Sequence, residues 1–141
     1  MPPGQHAEDC LTLLRSGMWR LHYRLSPEGK RRFFTEFLPL LHDTMASTLG
    51  ARQHAAWYLV YLGTKPRARG QGHARSLLEH VTRMADRERR PCYLESNNGS
   101  NPPIYRKFGF EVHKTIYLQR GDRNVPLDVM VREPVGVEEK K

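Results

Sequence analysis

An apolar strand, a basic glycine loop and an amphipathic helix follow one another without a break from Trp57, and this order restricts the fold more than anything else in the chain. Trp57-Tyr58-Leu59-Val60-Tyr61-Leu62 reads as a buried strand, ended by Gly63, Lys65 and Pro66. Arg67-Ala68-Arg69-Gly70-Gln71-Gly72 is the loop. From there Ala74, Leu77, Leu78, Val81, Met84 and Ala85 recur at i, i+3, i+4, i+7, which predicts a helix over about 71–89. The first N–H groups of a helix lack internal partners and the helix dipole favours an anion there, so the arrangement suits a phosphate. Glycines at 70 and 72 are expected to let the backbone approach that anion without Cβ clashes.

Two phosphate loops are excluded. No GxxxxGK[ST] run exists, and position 75, where a GxGxxG loop needs its third glycine, is Arg. The alternative for this stretch is a solvated basic loop.

The 141 residues suffice for one domain, which at this size buries roughly 68–70% of its unfolded surface. The net charge of +8 favours an anionic partner without saying whether that is nucleic acid, a membrane surface or a phosphorylated cofactor. Cys10 and Cys92 form neither a CxxC pair nor a disulfide framework, and Cys92 lies in an apolar run as a reduced core residue. No apolar run is long enough to span a membrane, and Met1-Pro2-Pro3-Gly4-Gln5 lacks the features of a signal peptide. A reducing, cytoplasmic setting is expected. The seven histidines show no ligand spacing, so no metal site is expected.

Ahead of the central stretch the pattern is helical. A short helix is expected over His6–Arg15, and another from Ser26-Pro27, an N-cap followed by proline at N1. The second carries Phe33, Phe34, Phe37, Leu38 and Leu41 on one face, with Pro39 expected to kink or end it and Thr44–Leu49 as one further turn closed by Gly50. Beyond the central helix, Pro91 stops the chain from continuing as helix and Cys92-Tyr93-Leu94-Glu95-Ser96 reads as a second strand. A helix between two such strands implies a parallel βαβ unit with a right-handed crossover. Asn97–Pro103 is a loop, Ile104–Phe108 about one helical turn stopped by Gly109, and 110–119 and 125–132 an antiparallel pair joined through Arg120–Asn124. A polar tail, 133–141, follows.

Three stretches together carry a family resemblance. Arg67-x-x-Gly70-x-Gly72 resembles the [Q/R]xxGx[G/A] signature of the GNAT acetyltransferase superfamily, whose loop holds the pyrophosphate of acetyl-CoA. Leu62-Gly63-Thr64-x-Pro66 is similar to the end of the strand whose backbone pairs with the pantetheine arm. Asn98-x-x-Asn101-x-x-Ile104-Tyr105-x-x-x-Gly109-Phe110 resembles the family's second motif. The finer wording is most similar to small-molecule N-acetyltransferases of the puromycin acetyltransferase-like branch and to fungal proteins of that kind. The fold so implied is α/β (α+β): a mixed sheet with a central βαβ cofactor-binding unit, a C-terminal antiparallel hairpin and a helical N-terminal segment. One domain over 1–141 is expected, with 1–56 on the acceptor side, 57–132 as the acetyl-CoA-binding core and 133–141 as tail. Family members place three strands ahead of the one beginning here at Trp57, whereas 1–56 reads as helical. The chain is therefore expected to be N-terminally shortened, exposing a sheet edge.

The resemblance implies attack of an amine on the acetyl-CoA thioester. Leu62, Thr64, Arg67, Arg69, Gly70, Gln71, Gly72, His73, Ala74 and Asn98 would hold the cofactor, and the amide of Leu62 or a neighbour would polarise the carbonyl. Arg75 is another candidate contact, with a solvated helix position as its alternative. Asn98 has an Asx-turn as its competing role. Tyr105 is the implied general acid, against a packed core tyrosine. For the general base the candidates are Glu95 and His54, with His42 and Asp43 behind them. The expected function is acetyl transfer from acetyl-CoA to a primary amine of a small molecule, without nucleic-acid or membrane partners. The alternatives are an impaired remnant that binds CoA or a partner, and a basic nucleic-acid-binding module.

Overall fold

The computed structural model describes residues 3, 15, 17–120 and 123–136. The chain divides at His54/Ala55 into two compact units. The first contains helical segments: a 3₁₀ turn Met18–Arg20, α1 (Leu21–Arg24), α2 (Pro27–Lys30), a π-helical stretch Arg31–Phe37, α3 (Leu38–Leu49) and a second 3₁₀ turn, Gly50–Ala55. The expected cap forms: the Ser26 hydroxyl accepts from the Gly29 N–H at 3.1 Å, with Pro27 in the first turn. Pro39 does not end the helix, which runs on to Leu49, although the regular winding is interrupted just ahead of it by the π-helical stretch. It stands in the first turn of α3, where a missing N–H costs least, and the wide turn ahead of it absorbs the clash a proline ring makes with the preceding carbonyls. Thr44–Leu49 is thus the end of a twelve-residue helix rather than a separate turn, and Gly50, at φ 57°, closes it. His22 stacks on Phe34 at 4.4 Å, and Phe33 packs edge-on to Phe34.

The second unit is a mixed α/β fold. Its elements are β1 (Trp57–Leu59), a 3₁₀ turn Pro66–Ala68, α4 (His73–Arg87), β2 (Cys92–Ser96), α5 (Pro102–Arg106), β3 (Glu111–Arg120) and β4 (Arg123–Arg132). The sheet order is β1-β2-β4-β3. β1 and β2 are parallel, joined through α4 as the βαβ reading requires, and β4 runs antiparallel to both β2 and β3. The ladders reach Arg120 and Arg123, so the hairpin connection is shorter than expected; Gly121 and Asp122 lie outside the described residues, as do residues 6–14 of the expected helix His6–Arg15.

Strand alternation sorts the sheet into two faces. Cys92, Leu94 and Met130 join Phe110 and Ala85 of α4 in one core, with Trp57, Leu59, Tyr105, Phe108 and Val112 packed against it. Tyr93, Val129 and Val131 are buried on the other face. Two polar links tie α4 to the sheet. The Trp57 indole donates to Glu88 at 3.0 Å. Arg132 makes a bidentate pair with Asp86 at 2.7 and 2.8 Å and donates its Nε to the Phe108 carbonyl at 2.8 Å. Gly109, between α5 and β3, holds φ 83°, and a Cβ there would press on Arg132 Nε at 3.4 Å.

Candidate functional site

The loop that opens α4 displays its backbone donors. Gly70 and Gly72 stand at φ 78° and 80°, and Gly72 caps a helix that has no side-chain cap. A Cβ at either glycine would meet nothing of the chain within 4 Å, so within the chain what demands glycine is the left-handed backbone. That conformation turns successive amides outward. Among the described residues the N–H groups of Gly70, Gln71, Gly72, His73, Ala74 and Arg75 donate to no group of the chain; the first helical bond runs from Ser76 to the Gly72 carbonyl at 2.9 Å. Side chains brace the loop: Gln71 donates to the Arg67 carbonyl at 3.1 Å, Arg69 to the Thr64 carbonyl at 3.4 Å, and His73 meets Gln71 at 3.2 Å. Arg67 and Arg69 are exposed and form no ion pair among the described residues. Arg75 is engaged by Glu79 at 2.7 Å, the solvated-helix alternative.

Upstream, β1 is shorter than its apolar run. Its ladder with β2 stops at Leu59↔Leu94, whereas β2 continues against β4 as far as Ser96↔Asp128. The expected strand over 57–62 therefore ends at Leu59, because the two strands separate and a lone strand has nothing to pair with. Trp57 N–H donates to the Pro91 carbonyl at 2.9 Å, and the alternation of a parallel ladder makes Leu59 and then Tyr61 the next donors toward β2. The Tyr61 N–H, like those of Val60 and Leu62, donates no hydrogen bond among the described residues. Beside this opening an apolar hollow of about 220 Å³ is walled by Trp57, Leu59, Leu62, Leu77 and Val81. Its mostly apolar walls offer room for an aliphatic chain.

Downstream of β2, Asn98 makes the Asx-turn that competes with its binding role: Oδ1 accepts from the Ser100 N–H at 3.0 Å. Its side-chain NH₂ is left for a ligand. Tyr105 on α5 is half-buried, edge-on to Phe110 at 5.9 Å, and burial raises its hydroxyl above the usual tyrosine value, so it keeps its proton through neutral pH. Glu95 lies on β2 beside Tyr93 and opposite Val129. Burial pushes its carboxyl up from the ordinary glutamate value, opposed by the hydroxyls of Tyr58 and Tyr93. Tyr58 donates to Glu95 Oε2 at 2.6 Å, while Glu95 Oε1 and the Tyr93 hydroxyl are buried without a hydrogen-bond partner. The Tyr93 hydroxyl thus feels the carboxylate without reaching hydrogen-bonding geometry.

Leu62, Thr64, the 67–74 loop, Asn98, Glu95 and Tyr105 all belong to the sheet unit. His54 is exposed on the Gly50–Ala55 turn of the helical unit, together with His42 and Asp43 on α3. Tyr61 is a neighbour of Leu62 in the amide reading above, whereas Tyr58 escaped the sequence reading, because it meets Glu95 only through the Tyr58↔Tyr93 register. No group of His, Cys, Asp and Glu able to hold a metal ion occurs among the described residues.

A glycine loop with undonated amides at a helix start, a parallel strand pair whose ladder ends at Leu59, and a Tyr-bearing helical turn after the second strand all lie in the sheet unit. A family model for the acetyltransferase (GNAT) domain matches residues 42–112, and the chain belongs to that family. The chain is 48% identical over 134 residues to an uncharacterized N-acetyltransferase of Schizosaccharomyces pombe, covering 95% of this chain and 54% of that protein. It therefore spans about half the length of this curated relative. Among solved structures it is similar to the ribosomal-protein-S18-alanine N-acetyltransferase from Escherichia coli, with 21% identity and a TM-score of 0.49 over 60% of this chain and 57% of that one. It is also similar to a structure described as histone acetyltransferase HPA2 and related acetyltransferase from Corynebacterium glutamicum, with 27% identity and a TM-score of 0.46 over 57% and 42%.

Proposed function

We propose that this chain is the acetyl-CoA-binding and catalytic part of an N-acetyltransferase that acts on a primary amine of a small molecule. The observation that carries the reading is the run of undonated amides from Gly70 to Arg75 at the start of α4, in line with the parting of β1 and β2. These amides, with Arg67 and Arg69, fit a pyrophosphate; the Asn98 amide and the free backbone after Leu59 fit an amide-bearing arm. Acetyl-CoA, when bound, supplies the thioester acetyl group. The Tyr61 N–H, with Leu62 beside it, would donate to the acetyl carbonyl oxygen and stabilise charge there. For transfer to an amine, Glu95 would take the proton the nitrogen loses, directly or through water, and Tyr105 would give a proton to the departing sulfur. His54 is the alternative base. Removal from water favours the neutral carboxyl, and the same burial brings Glu95 nearer to neutral pH, where a base works best.

The test is calorimetric titration of acetyl-CoA into the chain and into Gly72→Asp and Gly72→Ala. Gly72→Asp should abolish binding, because it places a carboxylate where the pyrophosphate belongs. Gly72→Ala, which shares the left-handed strain at φ 80° but adds no charge, should lose far less. Equal affinity of folded Gly72→Asp and the parent chain refutes the loop's role. A parallel acetylation assay on primary amines separates an active transferase from a chain that binds CoA without turnover.

A further inference from the structure

Glu95 has two carboxylate oxygens in unlike surroundings. Oε2 accepts a 2.6 Å hydrogen bond from the Tyr58 hydroxyl; Oε1 is buried and has no partner. Tyr58 is placed for this by the sheet itself. The parallel register sets it beside Tyr93, and the edge-on packing of the two rings, 5.5 Å apart at 65°, fixes the direction of its C–O bond. The Tyr93 hydroxyl, fully buried, makes no hydrogen bond of its own. Across the ladder the residue opposite Glu95 is Val129, which carries no charge. The titratable groups acting on the carboxyl, among the described residues, are therefore Tyr58 from β1 and Tyr93 from its own strand.

We propose that Tyr58 is a positioning residue for Glu95: its hydroxyl holds Oε2, fixes the orientation of the carboxyl and supports the charged form that accepts the proton of the acceptor amine, directly or through water. This rests on the reading of Glu95 as general base. Tyr58 cannot compete for the role of base. Its burial, and after that the neighbouring carboxylate, hold its hydroxyl far above the usual tyrosine value, so it remains an O–H donor at every working pH. The hydrogen bond is made to the charged form of Glu95 and favours it, which offsets part of the cost of burial. Tyr58 thus sets both the orientation of the carboxyl and the pH at which the carboxylate is available.

The experiment is a ¹³C NMR titration of the full chain labelled at glutamate, the Glu95 carboxyl signal being identified by its loss in Glu95→Gln. Tyr58→Phe keeps the ring and its contact with Tyr93 and removes only the hydroxyl. It should raise the Glu95 midpoint by about one pH unit or more, the equivalent of one hydrogen bond to a charged group. Tyr93→Phe, which removes a hydroxyl lacking hydrogen-bond geometry, should raise it less. An unmoved midpoint in Tyr58→Phe, or a larger shift in Tyr93→Phe, overturns the proposal. The second readout is kcat/KM against pH for acetyl transfer to a primary amine. In Tyr58→Phe the acid limb should move upward by the same interval as the carboxyl midpoint, so that the loss is about tenfold below the limb and narrows as pH rises. A loss that is uniform across pH marks a merely structural tyrosine and also overturns it. The reading beneath fails separately: if Glu95→Gln acetylates at the parental rate with its acid limb intact, Glu95 is not the base, whatever the carboxyl titration shows.

Discussion

Asp86→Ala should be among the most destabilising single changes in the sheet unit, and its cost can be worked from the contacts. Asp86 Oδ1 accepts from Arg132 Nη1 at 2.7 Å and from the Val135 N–H at 2.8 Å, while Oδ2 accepts from Arg132 Nη2 at 2.8 Å. The side chains are only 8% and 14% exposed for Arg132 and Asp86. Truncation strands a buried guanidinium whose one remaining bond here is the 2.8 Å contact to the Phe108 carbonyl. Breaking such a pair from one side costs about 3–5 kcal/mol. With a urea slope of roughly 2 kcal/mol/M, the midpoint should fall by about 1.5–2.5 M. Adding Arg132→Met should recover much of the loss, since the stranded charge is then gone. Glu79→Ala, which breaks the exposed pair with Arg75, should leave the midpoint nearly unmoved. The pH dependence has a definite sign. Burial alone would raise the Asp86 carboxyl, but the Arg132 and Val135 hydrogen bonds outweigh it and hold it below its ordinary 3.8. The contribution is thus complete above that value and fades as pH falls through the lower folded-state value. The gap between parent and Asp86→Asn should be flat from about pH 5 to 8 and close only in acid. A cost for Asp86→Ala below about 1 kcal/mol, in the range of exposed pairs, refutes the reasoning.

Tyr105→Phe should keep acetyl-CoA affinity, since the ring still packs on Phe110, but slow acetyl transfer by about 10²–10⁴. The defect should shrink with a thioester whose leaving thiol is more acidic, and a kcat within about twofold of the parent returns Tyr105 to the core. Binding to DNA should be no tighter than the non-specific range of about 10⁻⁶ to 10⁻⁴ M at physiological salt; a tight, sequence-dependent band shift would favour the nucleic-acid reading of the basic excess.

β2 was legible to the residue because Pro91 precedes it and Asn97-Asn98 follows, two signals that do not depend on the rest of the fold. The α4 loop and the hairpin were legible for similar local reasons. The end of β1 was not, since Val60, Tyr61 and Leu62 keep a strand's composition while their partner strand turns away. Pro39 misled because proline is judged against a regular helix, and the π-helical stretch Arg31–Phe37 is not one. The polar pairs lay furthest from view. Tyr58 and Glu95 are 37 positions apart and Asp86 and Arg132 are 46 apart, joined only once register and the crossover are set. The glycine loop of the candidate site is thus a sequence-local feature, as are Glu95 and Tyr105 taken singly, while the Tyr58–Glu95 pair is a product of tertiary pairing.

The sheet order also sets a sequence of assembly. β3 and β4 are joined by a tight connection and can zip locally, and β2 then adds along β4. β1 must wait for the whole of α4 to close between Trp57 and Cys92, and its ladder is the shortest in the sheet. Closure of that loop pays its entropy before the few ladder bonds return anything. The opening between β1 and β2 is therefore the last part of the unit to form and the first to open, so Leu59 should exchange its amide hydrogen sooner than Val129 or Met130. A ligand that spans the two strands would clamp the shortest ladder in the sheet, and its arrival would be read most sharply as slowed exchange along β1.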